Sequence, residues 1–298
     1  MMHPGARLRE LIAAPELLVM PGAYDALSAR LIAQAGFPAV MAGGFAAAGT
    51  LLGEPDAGQM TLNDYAGHYG RIAAAIEVPL FVDADTGFGG VNSVRRTVRA
   101  FSRAGVAGLF VEDQTMPKRC GYVAGKSVIP VDEMLAKIRA ALAAREDDAF
   151  VICARTDAWS VLGPEAALER ARAYREAGAD MTFVQGADDL AALANVCASV
   201  PGPQLANLSH ASGRTQPSLT EIAATGAAAV MFPSAALFAA AGAVGRALTA
   251  LRNDGRFAAA EPEFITAEGY NTVVDLEAFI AREQSDVSDA ALRQRFDF

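Results

Sequence analysis

The sequence predicts an α/β fold of the (β/α)8 TIM-barrel type, extended by additional C-terminal helices. Short apolar runs of strand length recur eight times along the 298 residues, each followed by a polar or Gly-rich stretch and then a longer Ala-rich segment of helical spacing. The runs are continuously apolar rather than alternating, as strands covered on both faces require. Four junctions share one punctuation, "AQAGFPAVMAG", "SRAGVAGLFVE", "REAGADMTFVQ" and "AATGAAAVMFP". In each, a helix ends at a Gly suited to a left-handed C-cap and a strand begins within a few residues. Eight such units favour a closed barrel over an open doubly wound sheet, the competing arrangement of parallel strands.

In chain order the expected strands are "LLVM" (17–20), "PAVMA" (38–42), "PLFVD" (79–83), "GLFVE" (108–112), "AFVICA" (149–154), "DMTFV" (180–184), "PQLAN" (203–207) and "AAVMF" (228–232). No Pro- or Ser-rich linker divides the chain, so residues 1–298 are expected to form a single barrel domain. Within it, 254–298 reads as a helical extension that covers the barrel or a neighbouring subunit.

Hydrophobic residues make up 52% and charged residues 20% of the chain, enough to bury a large core. A formal net charge of −9 argues against a nucleic-acid partner, which demands clustered cations. No run of eighteen uninterrupted apolar residues and no signal-peptide pattern is present, so a cytoplasmic protein without a membrane partner is expected. Cys120, Cys153 and Cys197 are an odd number without CxxC spacing, which points to reduced thiols.

In a barrel the chemistry sits where the strands stop. Strand three ends in Asp83 and Asp85, strand four in Glu112 and Asp113, strand five in Arg155 and Asp157, strand seven in Asn207 and Ser209. An oxygen-rich set suits a hard cation, Mg²⁺ or Mn²⁺. Asp85 is the expected direct ligand, with Asp83, Glu112 and Asp56 orienting metal-bound water. Each acid taken singly is equally compatible with a helix cap. Neighbouring strand-end carboxylates repel one another without a cation, which favours metal for the set. The glycines of "GGFAAAG" and "DTGFGG" do not match a dinucleotide fingerprint; backbone N–H groups near Gly43 and Gly44 are suited to an anionic substrate.

Cys120 stands between Arg119 and Gly121, two residues from Lys118. Adjacent cations favour its thiolate, and Gly121 lets it move, so it is a candidate acid or base. Cys153 and Cys197 read as packed thiols. His3, His68 and His210 show no ligand spacing, with His210 the only one near a strand end.

"DADTGFG", followed by "VEDQ…PKRCG" and "ARTDA", resembles the isocitrate lyase and phosphoenolpyruvate mutase superfamily, nearest its methylisocitrate lyase and 2-alkylmalate (2,3-dimethylmalate) lyase branch. "MPGAYDALSARLIAQAGFPAVMAGG" and "EPDAGQMTL" extend the similarity over most of residues 15–250. The resemblance implies a barrel whose last helix is swapped between subunits of a homotetramer, with one Mg²⁺ per site. It implies that Asp83, Asp85 and Glu112 serve the metal, that Gly43, Gly44 and Arg155 hold the carboxylate of a 2-hydroxy or 2-oxo acid, and that Asn207 and Ser209 add contacts; Ala42, Gly121, Tyr122 and Gln185 complete the expected substrate-binding set, as Asp56 completes the metal set. It gives Cys120 the role of general acid, with Lys118 and Arg155 as further catalytic residues, and makes 118–126 a gating loop.

Three positions depart from the isocitrate and methylisocitrate lyase pattern: Tyr122 replaces the His after Cys-Gly, Gln185 the Glu after strand six, and Phe238 an Arg after strand eight. Loss of that Arg removes a carboxylate anchor and favours a smaller, more apolar substrate over a tricarboxylate. The expected activity is a Mg²⁺-dependent carbon-carbon lyase cleaving a 2-hydroxy di- or tricarboxylate to a 2-oxo acid and a second carboxylate. The alternatives are an oxaloacetate hydrolase or decarboxylase, a phosphonopyruvate-type enzyme, and a non-catalytic carboxylate binder.

Overall fold

The structure, a computed structural model, describes residues 4–121, 123–207, 216–257, 264–286 and 294–295. Tyr122, Ser209, His3 and His210 lie outside the described residues. All eight expected strands form: β1 (Leu18–Ala23), β2 (Val40–Ala42), β3 (Leu80–Asp83), β4 (Gly108–Glu112), β5 (Val151–Thr156), β6 (Met181–Val184), β7 (Leu205–Asn207) and β8 (Ala229–Phe232). Every pairing is parallel, in the order β6-β5-β4-β3-β2-β1-β8-β7. The ring closes through a single parallel bridge between Thr182 and Gln204, reinforced by a 2.6 Å hydrogen bond from Thr182 Oγ1 to Gln204 Oε1. The fold is thus a (β/α)8 barrel. β1 runs three residues beyond the expected "LLVM": Pro21, which has no N–H to give, pairs only with β8, and pairing to β2 starts at Gly22.

Side chains alternate across the sheet, and the alternation separates two cores. Met20, Met41, Phe81, Phe110, Cys153, Met181, Phe183, Leu205, Ala229 and Met231 fill the barrel. The helix α1 (Pro4–Ala13) adds Leu8 and Ile12 to the same cluster, and its Arg9 donates to the carbonyls of Ala149 and Phe150 just before β5. The intervening residues Val40, Val82, Leu109, Val111, Ile152 and Ala154 face outward, against α2 (Ala26–Gln34), α4 (Leu62–Ala73), α5 (Val91–Arg103) and α6 (Val131–Leu142). Both faces of each strand are therefore dry, the physical origin of the unbroken apolar runs.

The helices start at built caps. Asp25 and Ser28 form a reciprocal capping box at α2, as Thr61 and Asp64 do at α4, which satisfies orphan N–H groups of the first turn. After α3 (Gly44–Leu51), the segment carrying Asp56 leads into α4. His68 is buried on α4 against Tyr69, and burial holds its imidazole pKa below the usual range. It is a packed histidine rather than a ligand.

The chain divides into two compact units, Met1–Phe238 and Ala239–Phe298. The second comprises most of α11 (Ala235–Asp254), then α12 (Ala267–Val273) and α13 (Leu276–Asp286). By length and composition alone α11 is long and apolar enough to cross a membrane, although Arg246 and Arg252 lie on it.

Candidate active site

The same period-two alternation that fills the barrel also builds the layer above it. Two residues beyond an interior side chain, seven of the eight strands present their next inward position: Gly43 after Met41, Asp83 after Phe81, Glu112 after Phe110, Arg155 after Cys153, Gln185 after Phe183, Asn207 after Leu205 and Pro233 after Met231. These positions stand at the C-terminal ends of the strands. A cavity there is walled by Gly43, Gly44, Asp56, Asp83, Lys118, Cys120, Gly121, Arg155, Gln185, Asn207 and Ser234, with Met41, Phe45, Phe110, Met231 and Pro233 as its apolar part. Sequence-predicted residues from seven segments converge on it. Ala42 does not: its side chain is packed outward in the layer between barrel and helices. Asp85 and Glu112 are buried and are not part of the wall.

The carboxylates cluster around one ammonium. Lys118 Nζ lies 2.6 Å from Asp56 Oδ2 and 2.7 Å from Asp85 Oδ1. Asp83 accepts from the backbone N–H of Asp85 at 2.8 Å and of Gly44 at 3.2 Å. A Cβ at Gly44 would meet Tyr65 Oη at 2.6 Å and both carboxylates at 3.2–3.3 Å, so only glycine lets the backbone approach them. Asp85 itself has φ +45°, a left-handed conformation uncommon outside Gly, Asn and Asp, held in a site rather than relaxed away. Burial, followed by the partly offsetting attraction of Lys118, raises Asp85 to a pKa of about 6. Burial also lifts Glu112 well above the usual carboxylate range, against the pull of Arg155. For Lys118 the loss of solvation is overcome by Asp85, Asp83, Glu112 and Asp56 together, and it stays charged.

Arg155 is the second centre of charge. Its Nε and Nη2 donate to Asp157 at 2.8 and 3.1 Å, and Nη1 lies 3.1 Å from Glu112 Oε2. The guanidinium stacks over Phe110 and Phe183, 5.7 and 5.2 Å from the ring centroids. Two of its donors are hydrogen-bonded to Asp157 and Nη1 is ion-paired with Glu112, while the residue itself lines the cavity.

Asp113 takes no part in this cluster, although it adjoins Glu112 in sequence. Alternation turns it outward, where it accepts from Thr156 Oγ1 (2.7 Å), Asp157 N (2.9 Å), Tyr174 Oη (2.7 Å) and Arg170 Nη1 (3.0 Å), the last two on α8 (Pro164–Glu176). It fixes the β5 end that carries Arg155. Tyr174→Phe removes one donor from a fully buried carboxylate and is expected to cost about 1–3 kcal/mol in chemical denaturation, with catalytic constants little changed.

The segment from β4 to α6 returns on itself: Gln114 and Val128 form an antiparallel bridge, and Thr115 N donates to Ser127 O. Across the loop, the Gln114 amide grips the backbone of Arg119 both ways, accepting from its N–H at 3.0 Å and donating to its carbonyl at 2.9 Å. This brings Cys120 and Gly121 to the cavity wall. The other two thiols are packed as expected: Cys153 is fully buried in the barrel, where burial raises its pKa far above the usual thiol range, and Cys197 is partly buried. Phe238, at the start of α11, meets Phe45 edge to face with centroids 5.8 Å apart. Phe45 carries no polar signature that would mark it in the sequence. Its place follows from β2, two residues beyond Gly43.

The donor set fits a hard divalent cation. Asp85 Oδ1 and Glu112 Oε1 are buried without a hydrogen-bond partner; Lys118 approaches the former closely but at an angle unsuited to a hydrogen bond. Five linked carboxylates, Asp56, Asp83, Asp85, Glu112 and Asp157, face three cations, Lys118, Lys126 and Arg155. Among the described residues no three His, Cys, Asp or Glu side chains converge as a closed ligand cage. Mg²⁺ needs only one or two direct carboxylates and keeps several waters, and the unpartnered oxygens of Asp85 and Glu112 suit that requirement.

Comparison with known proteins places the chain in a family. Residues 8–252 match the family model described as phosphoenolpyruvate phosphomutase. The 2,3-dimethylmalate lyase of Eubacterium barkeri is 38% identical over 278 residues, covering 93% of this chain and 96% of the relative. The structure of oxaloacetate acetylhydrolase with the inhibitor 3,3-difluorooxalacetate superposes with a TM-score of 0.91 at 35% identity, covering 97% of this chain and 98% of that one. Phosphonopyruvate hydrolase in complex with oxalate and Mg²⁺ gives 0.85 at 28% identity, covering 95% and 99%. The chain belongs to the phosphoenolpyruvate phosphomutase family and is a lyase of the isocitrate lyase and phosphoenolpyruvate mutase superfamily.

Proposed function

We propose that this carbon-carbon lyase cleaves a 2-hydroxy dicarboxylate of the 2-alkylmalate type to a 2-oxo acid and a second carboxylate, with Mg²⁺ as cofactor. The observation that carries it is the makeup of one cavity: Cys120 and Arg155 share it with Asp83, Asp56 and Lys118, while Met41, Phe45, Phe110, Met231 and Pro233 supply apolar wall. The apolar side suits alkyl substituents. The Phe45–Phe238 pair, standing where related lyases place an Arg, offers nothing to a third carboxylate.

Arg155 binds a substrate carboxylate from the cavity wall, and the backbone at Gly43 and Gly44 lines the same space, the Gly44 N–H being held by Asp83. The hydroxyl proton leaves toward the carboxylate cluster. The C2–C3 bond then breaks, its electron pair passing to the departing fragment as an enolate, while C2 becomes the carbonyl of the 2-oxo acid. Arg155 and Lys118 hold the developing negative charge. Cys120 gives its thiol proton to the enolate carbon. Asp85, Asp83, Glu112 and Asp56 would hold Mg²⁺, which would acidify the hydroxyl and offset the charge of the product carboxylates.

Incubation with 2,3-dimethylmalate, 2-methylmalate, methylisocitrate and oxaloacetate, followed by identification of products, tests the reading. Pyruvate and propionate from 2,3-dimethylmalate are expected. Turnover of oxaloacetate alone, to oxalate and acetate, would replace this reading with hydrolysis, which the likeness to oxaloacetate acetylhydrolase favours.

The metal should compete with protons. With Asp85 raised to about 6, the metal-free carboxyl is protonated below that value and ionised above it. A raised carboxyl pKa makes the metal-free fold lose stability as pH rises from about 4 through 6, and a cation restores it. Mg²⁺ is therefore expected to raise the melting temperature clearly at pH 8 and little at pH 5, checked by calorimetry.

The second unit carries exposed Val244, Leu248, Phe264, Ile265 and Phe279. Their cover is a second copy of the chain, in a helix-swapped homotetramer of a cytoplasmic enzyme. Light scattering tests the oligomer: a monomer would remove that part of the reading.

A further inference from the structure

We infer that Lys126 and Asp157 are positioning residues that make the seating of Cys120 and the aiming of Arg155 one event. The inference rests on the reading of Cys120 as the acid, and its geometry is a closed ring. Lys126 Nζ donates to the Gly121 carbonyl at 2.7 Å and to Asp157 Oδ1 at 2.9 Å. The same Asp157 carboxylate binds Arg155 through Nε and Nη2. Arg155 returns to the start of the ring, because a Cβ at Gly121 would lie 2.8 Å from Arg155 Nη2 and 2.9 Å from Gln185 Cδ. Gly121 is thus held at its carbonyl by Lys126 while its α-carbon rests on the guanidinium that Asp157 aims.

Chemistry supports a purpose beyond stability. Lys126 is 5% and Asp157 0% exposed at the side chain, so the pair is withdrawn from water at the end of a surface loop. Burying two charges is costly, and an apolar pair would close a loop at less expense. A buried ammonium reaching from the loop is needed only if the position of the loop has to be tied to a particular partner. Asp157 has that partner: burial alone would raise its pKa, but Arg155 and Lys126 bring it below the usual range, so it stays ionised for both. When Lys126 leaves, Asp157 keeps Arg155 but loses its second cation, and Gly121 loses the contact that holds Cys120 at the cavity wall. The acid and the carboxylate anchor are then in register only with the loop seated, which keeps the enolate away from bulk water until the proton donor is present.

The test needs no substrate for its first arm. Alkylation of each cysteine by iodoacetamide is followed by peptide mapping, with buried Cys153 reporting any general opening. In Lys126→Met, Cys120 is expected to react roughly tenfold faster or more, as loss of charge-assisted hydrogen bonds implies, with Cys153 as slow as in the unaltered protein. Lys126→Arg should restore slow alkylation. Asp157→Asn should speed alkylation of Cys120 and, with the substrate that turns over in the panel above, raise KM as well as lower kcat, because both partners of the carboxylate are affected. Unchanged Cys120 reactivity in Lys126→Met, or a parallel rise at Cys153, overturns the coupling. Failure of every panel substrate would instead sink the proposed reaction and leave the alkylation result standing.

Discussion

Cys120→Ser is expected to lower turnover by roughly 10²–10⁴-fold, the usual contribution of a positioned general acid, without altering the fold. The hydroxyl matches the thiol in reach but is a far weaker acid, so protonation of the enolate slows. The site makes this specific: the Gln114 amide clamps Arg119, Gly121 rests on Arg155, and Cys120 lies between two immobilised neighbours. Cys197→Ser is the matched control, since Cys197 lies on α9 (Leu190–Ser199), away from the cavity. Release of the 2-oxo acid, followed with an added dehydrogenase, measures both. Full activity in Cys120→Ser would remove the thiol from the mechanism.

The barrel was legible because its physics is local. Strands dry on both faces must read as unbroken apolar runs, and a helix ending at Gly before the next run fixes the rhythm. The polar rim was legible for the same reason, since Asp83, Glu112, Arg155, Gln185 and Asn207 each stand at the end of such a run. The sense in which a strand-end side chain points was present in the sequence but needs a second step. Once Phe110 is placed inside the barrel, Glu112 must follow it inward and Asp113 must turn outward to Arg170 and Tyr174. Adjacent charges at one strand end thus have opposite fates, one in the site and one in its foundation. What the sequence could not show were pairings across long separations. Lys118 with Asp56 and Lys126 with Asp157 join residues 62 and 31 positions apart. No propensity or spacing records them, because they arise only when separate βα loops meet over the barrel mouth.

Asp85→Asn is expected to abolish the Mg²⁺-induced rise in melting temperature and to reduce kcat/KM by about 10³-fold or more, as loss of several kcal/mol of charge stabilisation implies. The substitution keeps the shape of the side chain, removes its charge and leaves one acceptor oxygen to face Lys118. In the metal-free protein at pH 8 its sign differs from that of most buried substitutions. Ionised Asp85 is opposed by burial and by Asp83 and Asp56, and only Lys118 compensates it. Lys118 keeps its 2.6 Å contact to Asp56 when Asp85 loses its charge. The metal-free variant should therefore melt no lower than the metal-free parent at pH 8, where the parent carries the unfavourable charge, and the advantage should vanish below pH 6, where the parent carboxyl is protonated. A variant that is more robust without metal and inert with it would identify Asp85 as a residue held at a cost to stability for the sake of the cation. Calorimetry with and without Mg²⁺ at pH 5 and pH 8 reads all four states, and a full Mg²⁺ response in Asp85→Asn would move the metal away from β3.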